Sequence, residues 1–132
     1  MNKKNYVAII DYELSNLHSV KSACEFAGME AILTNKFSDI LNSKAVVLPG
    51  VGAFNIAMNN IKNLKIDECL KEFLETKKPV LCICLGMQLL FDYSFEFGKY
   101  QGLGIIKGNV KKFDNQKINN INYPVPQIGW NK

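Results

Sequence analysis

Short runs with no polar position recur along the chain, each followed by a stretch whose apolar residues keep helical spacing. Tyr6 to Ile10 is apolar at every position, as required of a strand covered on both faces in a parallel sheet. Ala31 to Thr34, Ala45 to Leu48 and Val80 to Ile83 read as the second, third and fourth strands. Ser15 or Asn16 can cap a helix carrying Leu17, Val20, Cys24 and Ala27 on one face, and Gly28 ends it. Phe37 to Asn42 reads as a helical turn begun at Ser38. Phe54, Met58, Ile61 and Leu64 predict a further helix, and Asp67 begins another that buries Ile66, Leu70, Phe73 and Leu74 before Pro79 breaks it. Met87 to Phe91 is expected to be the next helix. This alternation specifies an α/β fold: a mostly parallel open sheet flanked by helices, with right-handed crossovers.

The pattern changes after Gly102. Ile105-Ile106, Val110, Phe113, Ile118 and Ile121 are separated by Gly108, Asp114-Asn115 and Asn119-Asn120, which predicts short strands in an antiparallel extension. Each proline in Tyr123-Pro124-Val125-Pro126 disfavours helix in the residue before it, so that stretch is expected to be extended. With 132 residues, no repeat and no linker, residues 1–132 read as one domain.

Composition excludes several function classes. No apolar run is long enough to span a membrane, and Tyr6 to Ile10 is too short for the apolar core of a signal peptide. A cytoplasmic protein is expected, with Cys24, Cys69, Cys82 and Cys84 kept as thiols. The net charge is +4, but every one of the 16 basic residues is lysine, and the lysines are scattered. Without arginine there is no bidentate fork for guanine edges or phosphates, which argues against a nucleic-acid partner.

In an open parallel sheet, ligands bind at the carboxyl ends of the strands. Two segments there have unusual composition. Cys82-Ile83-Cys84-Leu85-Gly86 passes directly from strand to helix. At such an elbow the Cys84 thiol would sit exposed at a sharp turn, with the Leu85 backbone N–H aimed at a developing oxyanion. The plainer reading makes Cys84 a small residue that ends a strand. A C-x-C pair with no further Cys or His set is poor evidence for a metal, and Cys24 and Cys69 fall on apolar helix faces. The second segment, Pro49-Gly50-Val51-Gly52-Ala53-Phe54, has glycines that let backbone N–H groups approach a ligand, yet it lacks the spacing of a phosphate loop. It reads either as an oxyanion or substrate-binding turn or as a plain turn. His18, the single histidine, lies in the first turn of the first helix and reads as a surface residue, not a base.

Together these residues resemble the class I glutamine amidotransferases, and within them the glutaminase subunits of imidazole glycerol phosphate synthases of histidine biosynthesis. Cys84-Leu85-Gly86-Met87-Gln88-Leu89-Leu90-Phe91 is similar to the family's nucleophile segment. Pro49 to Phe54, Gly102-Leu103-Gly104, Gly108-Asn109-Val110 and Pro126-Gln127-Ile128-Gly129-Trp130-Asn131 favour the histidine branch. The resemblance implies that Cys84 attacks the side-chain amide of glutamine, and that the Val51 and Leu85 N–H groups hold the oxyanion. Gly50, Gly52 and Gln88 would bind glutamine. Asn16, Gly129, Trp130 and Asn131 would face a (β/α)₈-barrel cyclase in a heterodimer, to which ammonia is delivered for the synthesis of imidazole glycerol phosphate and AICAR. No cofactor and no metal are implied.

The chain departs from the family pattern at four places. Asp11-Tyr12-Glu13-Leu14-Ser15-Asn16 stands where the family usually has Asp-Tyr-Gly-x-Gly-Asn, so a positive φ there would carry a steric cost. Cys82 replaces the elbow glycine, and Gln127 stands where a histidine is common. The family's catalytic histidine and glutamate come in a His-Pro-Glu segment beyond the Gly-Trp-Asn motif, and this sequence contains no such segment. The chain therefore reads as the N-terminal portion of an amidotransferase domain, inactive alone. A paralogue feeding another acceptor, such as a modified sugar, an inactive partner-binding remnant and a thiol redox sensor are the competing readings.

Overall fold

The computed structural model describes residues 5–113, 117–118 and 121–122. Four parallel strands, β1 (Tyr6–Ile10), β2 (Glu30–Thr34), β3 (Ala45–Leu48) and β4 (Val80–Cys82), form a sheet in the order β2-β1-β3-β4. All five residues of β1 are buried, because it has a strand on each side and helices on both faces. Val7 and Ile9 pack with Cys24, Ala31 and Val47 beneath α1 (Leu17–Phe26). Tyr6, Ala8 and Ile10 face the larger core, built with α2 (Phe37–Asn42), α3 (Phe54–Asn63) and α4 (Ile66–Glu75). Ile40, Phe54, Ile61, Ile66, Leu70 and Phe73 are almost fully buried there. Burying such a side chain contributes roughly 1.5–3 kcal/mol, so this face holds the sheet to its helices.

The expected strands and helices are all present up to β4, with local shifts. Asn16, not Ser15, caps α1, its side chain accepting from the Ser19 N–H at 3.4 Å. Ala27 is exposed instead of joining the apolar face, since α1 ends at Phe26 and Ala27 is its C-cap. The second short helix starts at Phe37, one residue before Ser38, because Thr34 Oγ1 accepts from the Lys36 N–H and donates to Asp39, drawing the chain into the turn early.

Beyond β4 the structure corrects two expectations. Met87 to Phe91 is not a helix. A single turn, α5 (Leu85–Gln88), is followed by strand β5 (Phe91–Ser94). The Leu89 carbonyl accepts from the Leu103 N–H, and the Leu90 carbonyl from Ile105 and Ile106, so the bonds that would extend the helix are taken by a returning segment. The second correction concerns pairing. Strand β6 (Tyr100–Gln101) is antiparallel to β5 as expected, but β7 (Ile106–Val110) is parallel to it, in the order β6-β5-β7. Residues 102–105 carry the chain around the start of β5 to its other edge, and β7 must then run in the same direction. Gly102 permits that crossing: a Cβ there would collide with the Phe91 carbonyl. Strands β8 (Lys117–Ile118) and β9 (Ile121–Asn122) form an antiparallel pair. The Tyr123 to Pro126 stretch lies outside the described residues.

Candidate functional site

Strands β1, β3 and β4 end side by side, so the loops that leave them meet at one edge of the sheet. The β4 chain leaves its ladder abruptly. Ile83 N–H makes a last bond to the Leu48 carbonyl at 3.0 Å, and Gly86 N–H then bonds back to the Ile83 carbonyl at 2.9 Å. Cys84 occupies the first central position of this turn at φ 53°, ψ −117°. That is the geometry of a type II′ turn, where glycine is the unstrained choice. A cysteine held there indicates a thiol fixed in place by its surroundings at a cost of order 1–3 kcal/mol.

Cys84 is exposed, and Leu85 beside it is buried with an N–H that has no hydrogen-bond partner among the described residues. The close packing explains the small residues. A Cβ on Gly86 would collide with the Leu48 carbonyl, and one on Gly50 would collide with the Tyr12 hydroxyl and lie 2.7 Å from the Gly86 nitrogen. The two segments singled out separately in the sequence are thus in contact. Cys82 lies in β4 without a positive φ, so the elbow does not demand glycine there. Burial pushes the Cys82 thiol up to about 11 from 9.0.

The Pro49–Gly52 turn is held by the loop after β1. The Tyr12 hydroxyl donates to the Pro49 carbonyl at 2.6 Å, and Ser15 Oγ donates to the same oxygen at 3.2 Å. Tyr12 is fully buried, and its hydroxyl is pushed up to about 12, mainly by burial, against the lowering effect of Ser15. Val51 N–H donates to the Leu14 carbonyl at 3.1 Å, so of the two expected oxyanion donors only Leu85 is unoccupied. Gly52 is exposed at φ 93°. Glu13, where the family usually has glycine, has φ 71° and carries the anticipated steric cost.

Gln88 is half-buried and lines a cavity of about 450 Å³ with Phe95, Glu96, Phe97 and the Val110 to Lys112 stretch. Glu96 also accepts the Phe54 N–H at 2.8 Å, tying this region to the start of α3. Sequence reasoning missed Tyr12, Ser15 and Glu96. A tyrosine two residues beyond the fully apolar β1 was the only available signal.

His18 is exposed on α1 and makes no hydrogen bond to Cys84, whereas Cys24 and Cys69 are core residues. Asn16 is exposed at the α1 cap; Gly129, Trp130 and Asn131 lie outside the described residues. Among the described residues no cluster of His, Cys, Asp and Glu is placed to hold a metal ion, and no helix is long and apolar enough to cross a membrane.

Residues 8–127 match the family model for glutamine amidotransferase class-I. The imidazole glycerol phosphate synthase subunit HisH of Sulfurimonas denitrificans is 43% identical over 126 residues, covering 96% of this chain and 60% of the relative. The same subunit of Prochlorococcus marinus is 45% identical over 124 residues, covering 94% of this chain and 58% of the relative. The chain thus spans about 60% of the length of these curated relatives. A crystal structure of a glutamine amidotransferase superposes with a TM-score of 0.66 at 18% identity, over 78% of this chain and 54% of that one. That likeness shows the fold alone.

Proposed function

The chain belongs to the class-I glutamine amidotransferase family, and from that premise we propose that it carries the nucleophile half of a glutaminase serving histidine biosynthesis. The observation that carries this reading is the elbow: an exposed Cys84 thiol at φ 53° beside a Leu85 N–H with no partner among the described residues. Cys84 Sγ attacks the side-chain carbonyl carbon of glutamine, and the Leu85 N–H stabilises the negative oxygen of the tetrahedral intermediate. The intermediate collapses with loss of ammonia to a glutamyl thioester, which water hydrolyses to glutamate and free thiol. Gly50, Gly52 and Gln88 are proposed to bind glutamine.

The leaving nitrogen needs a proton, and the hydrolytic water needs a base. The single histidine, His18, is exposed on α1 and does not contact Cys84. The resemblance puts the acid–base pair in a His-Pro-Glu segment that this sequence does not contain, so the 132-residue chain is expected to lack turnover alone. Relatives at 43–45% identity are imidazole glycerol phosphate synthase subunits. That supports a partner that uses the ammonia, a (β/α)₈-barrel cyclase paired as a heterodimer in the cytoplasm, with Asn16 and Gly129 to Asn131 facing it. The product of that pair would be imidazole glycerol phosphate with release of AICAR.

An electrophilic analogue of glutamine tests the reading. A glutamine chloroketone should alkylate Cys84 selectively, as read by mass spectrometry of the peptide, and Cys84→Ser should abolish the adduct. Labelling no faster than by a plain haloacetamide would overturn it. The first loop favours a second acceptor as the alternative, because Glu13 and Ser15 replace glycines common in the histidine branch. Deletion of the gene separates the two: histidine auxotrophy supports the cyclase, and prototrophy supports an acceptor such as a modified sugar.

A further inference from the structure

One residue separates two thiols at the end of β4, and only one of them has a task in the proposed reaction. Cys84 is exposed on the elbow, whereas Cys82 is half-buried at the last position of β4. Side chains alternate along a strand, and here Leu81 is exposed while Val80 and Cys82 pack against the larger core. Tyr12 belongs to that core, and its hydroxyl holds the Pro49 carbonyl beside the elbow. The Cys84 and Cys82 thiols both lie close enough to this hydroxyl to push it up. The two sulfurs are thus neighbours of one buried group.

Chain geometry allows a bond between them. Two residues of extended chain span about 7 Å at most, and disulfides join α-carbons about 4.4–6.8 Å apart. A bridge from Cys82 to Cys84 therefore needs only a slight tightening of the elbow. Among the described residues β4 pairs with β3 alone, and Cys84 already departs from the ladder at φ 53°. A bridge formed by such tightening is strained, and strained or exposed disulfides are the readily reduced ones. That is the behaviour of a reversible switch, not of a structural cross-link. The other two thiols are placed elsewhere. Cys24 packs beneath α1 on the opposite face of the sheet, and the buried Cys69 donates to the Phe37 carbonyl at 3.9 Å.

We propose that Cys82 is a resolving thiol for Cys84: a hydroperoxide oxidises Cys84, and Cys82 closes a disulfide onto it that small thiols reopen. The Cys84 sulfur attacks the terminal peroxide oxygen. An S–O bond forms, the O–O bond breaks, and the alcohol leaves with the thiol proton, giving a sulfenic acid. The Cys82 sulfur then attacks the Cys84 sulfur. The S–S bond forms, and the hydroxyl leaves with the Cys82 proton as water. Two thiols are oxidised and one peroxide is reduced, so no further co-reactant is needed. Burial keeps the Cys82 thiol protonated, pushed up to about 11, which makes the exposed Cys84 the first target. The bridge spares Cys84 the irreversible sulfinic stage. That it also silences the nucleophile rests on the glutaminase reading of Cys84; the bridge itself does not.

Hydrogen peroxide treatment of the 132-residue chain tests the proposal, read by mass spectrometry of the peptide that carries both cysteines. In the parent that peptide should lose two hydrogens, refuse iodoacetamide, and regain two alkylatable thiols after dithiothreitol. Cys82→Ala should instead hold sulfenic acid at Cys84, with a dimedone adduct about fivefold above the parent, and pass on to sulfinic acid that dithiothreitol does not recover. Sulfinic acid at Cys84 in the parent beside an alkylatable Cys82, a bridge between two chains, or equal dimedone labelling in parent and variant overturns the proposal. Should Cys82→Ala fail to fold, the mass change of the parent decides alone. Glutamine chloroketone separates the two readings. An untreated parent that it does not label has failed as a glutaminase, while the bridge still stands or falls on the mass change. Labelling lost with peroxide and restored by dithiothreitol supports both.

Discussion

The α-carbon of Gly86 is pressed against the carbonyl oxygen of Leu48, with no room for a methyl group between them. The obstacle is backbone in a buried strand, and Leu48 itself is fully buried. Gly86→Ala must therefore displace β3 from the elbow, at a cost of about 3 kcal/mol by the scale of overpacked cores. The urea midpoint should fall at unchanged slope. A loss under about 0.5 kcal/mol would show that the elbow can shift without cost.

Glu13 supports the opposite substitution. It holds φ 71°, it is exposed, and its side chain makes no hydrogen bond or ion pair among the described residues, although its N–H bonds to Asp11 at 3.0 Å. Relief of the left-handed strain, about 1–2 kcal/mol, outweighs the extra chain entropy of glycine, about 0.5–1 kcal/mol. Glu13→Gly should raise stability by about 0.5–1 kcal/mol in denaturant titrations, and Glu13→Val should lower it.

The two cases mark what the sequence makes legible. The parallel sheet could be read because β1, β3 and β4 are short apolar runs and β2 has an apolar centre, and Gly86 and Cys84 because a strand-to-helix turn demands a small neighbour. Leu89 and Leu90 misled because an apolar pair suits helix and sheet equally, and bonds from Leu103, Ile105 and Ile106 decided between them. The hold of Tyr12 and Ser15 on Pro49 joins residues 37 and 34 positions apart. No local pattern encodes such a pairing. The occupied Val51 N–H was hidden for the same reason, since Leu14 contributes only its backbone carbonyl.

Glu96 closes the N-terminus of α3 from forty-two residues away. Ala53 at the cap position offers no side-chain acceptor, so the Phe54 N–H depends on the Glu96 carboxylate at 2.8 Å. Glu96→Ala should cost about 1 kcal/mol, in the range of a lost N-cap. Glu96→Gln keeps an oxygen acceptor and should lose about half as much. Equal losses for the two variants would place the stabilisation in charge instead of in the hydrogen bond.

Alkaline pH should loosen the fold through three acids, the buried Tyr12 and Cys69 and the half-buried Cys82. Burial is the main cause in each case. The thiols of Cys69 and Cys82 rise from 9.0 to about 11, and the Tyr12 hydroxyl rises from 10.0 to about 12. The folded chain thus keeps protons that the unfolded chain has already released. Between pH 9 and about 11 the unfolded state binds fewer protons, so stability must fall as pH rises, and below pH 9 these groups contribute no slope. Urea midpoints at pH 8, 9, 10 and 11 should decline over the last three. The Cys69→Ala and Cys82→Ala double variant, whatever its stability at pH 8, should decline less steeply between pH 9 and 11, leaving the part due to Tyr12. An identical slope in parent and variant would show that neither thiol holds its proton more tightly in the fold.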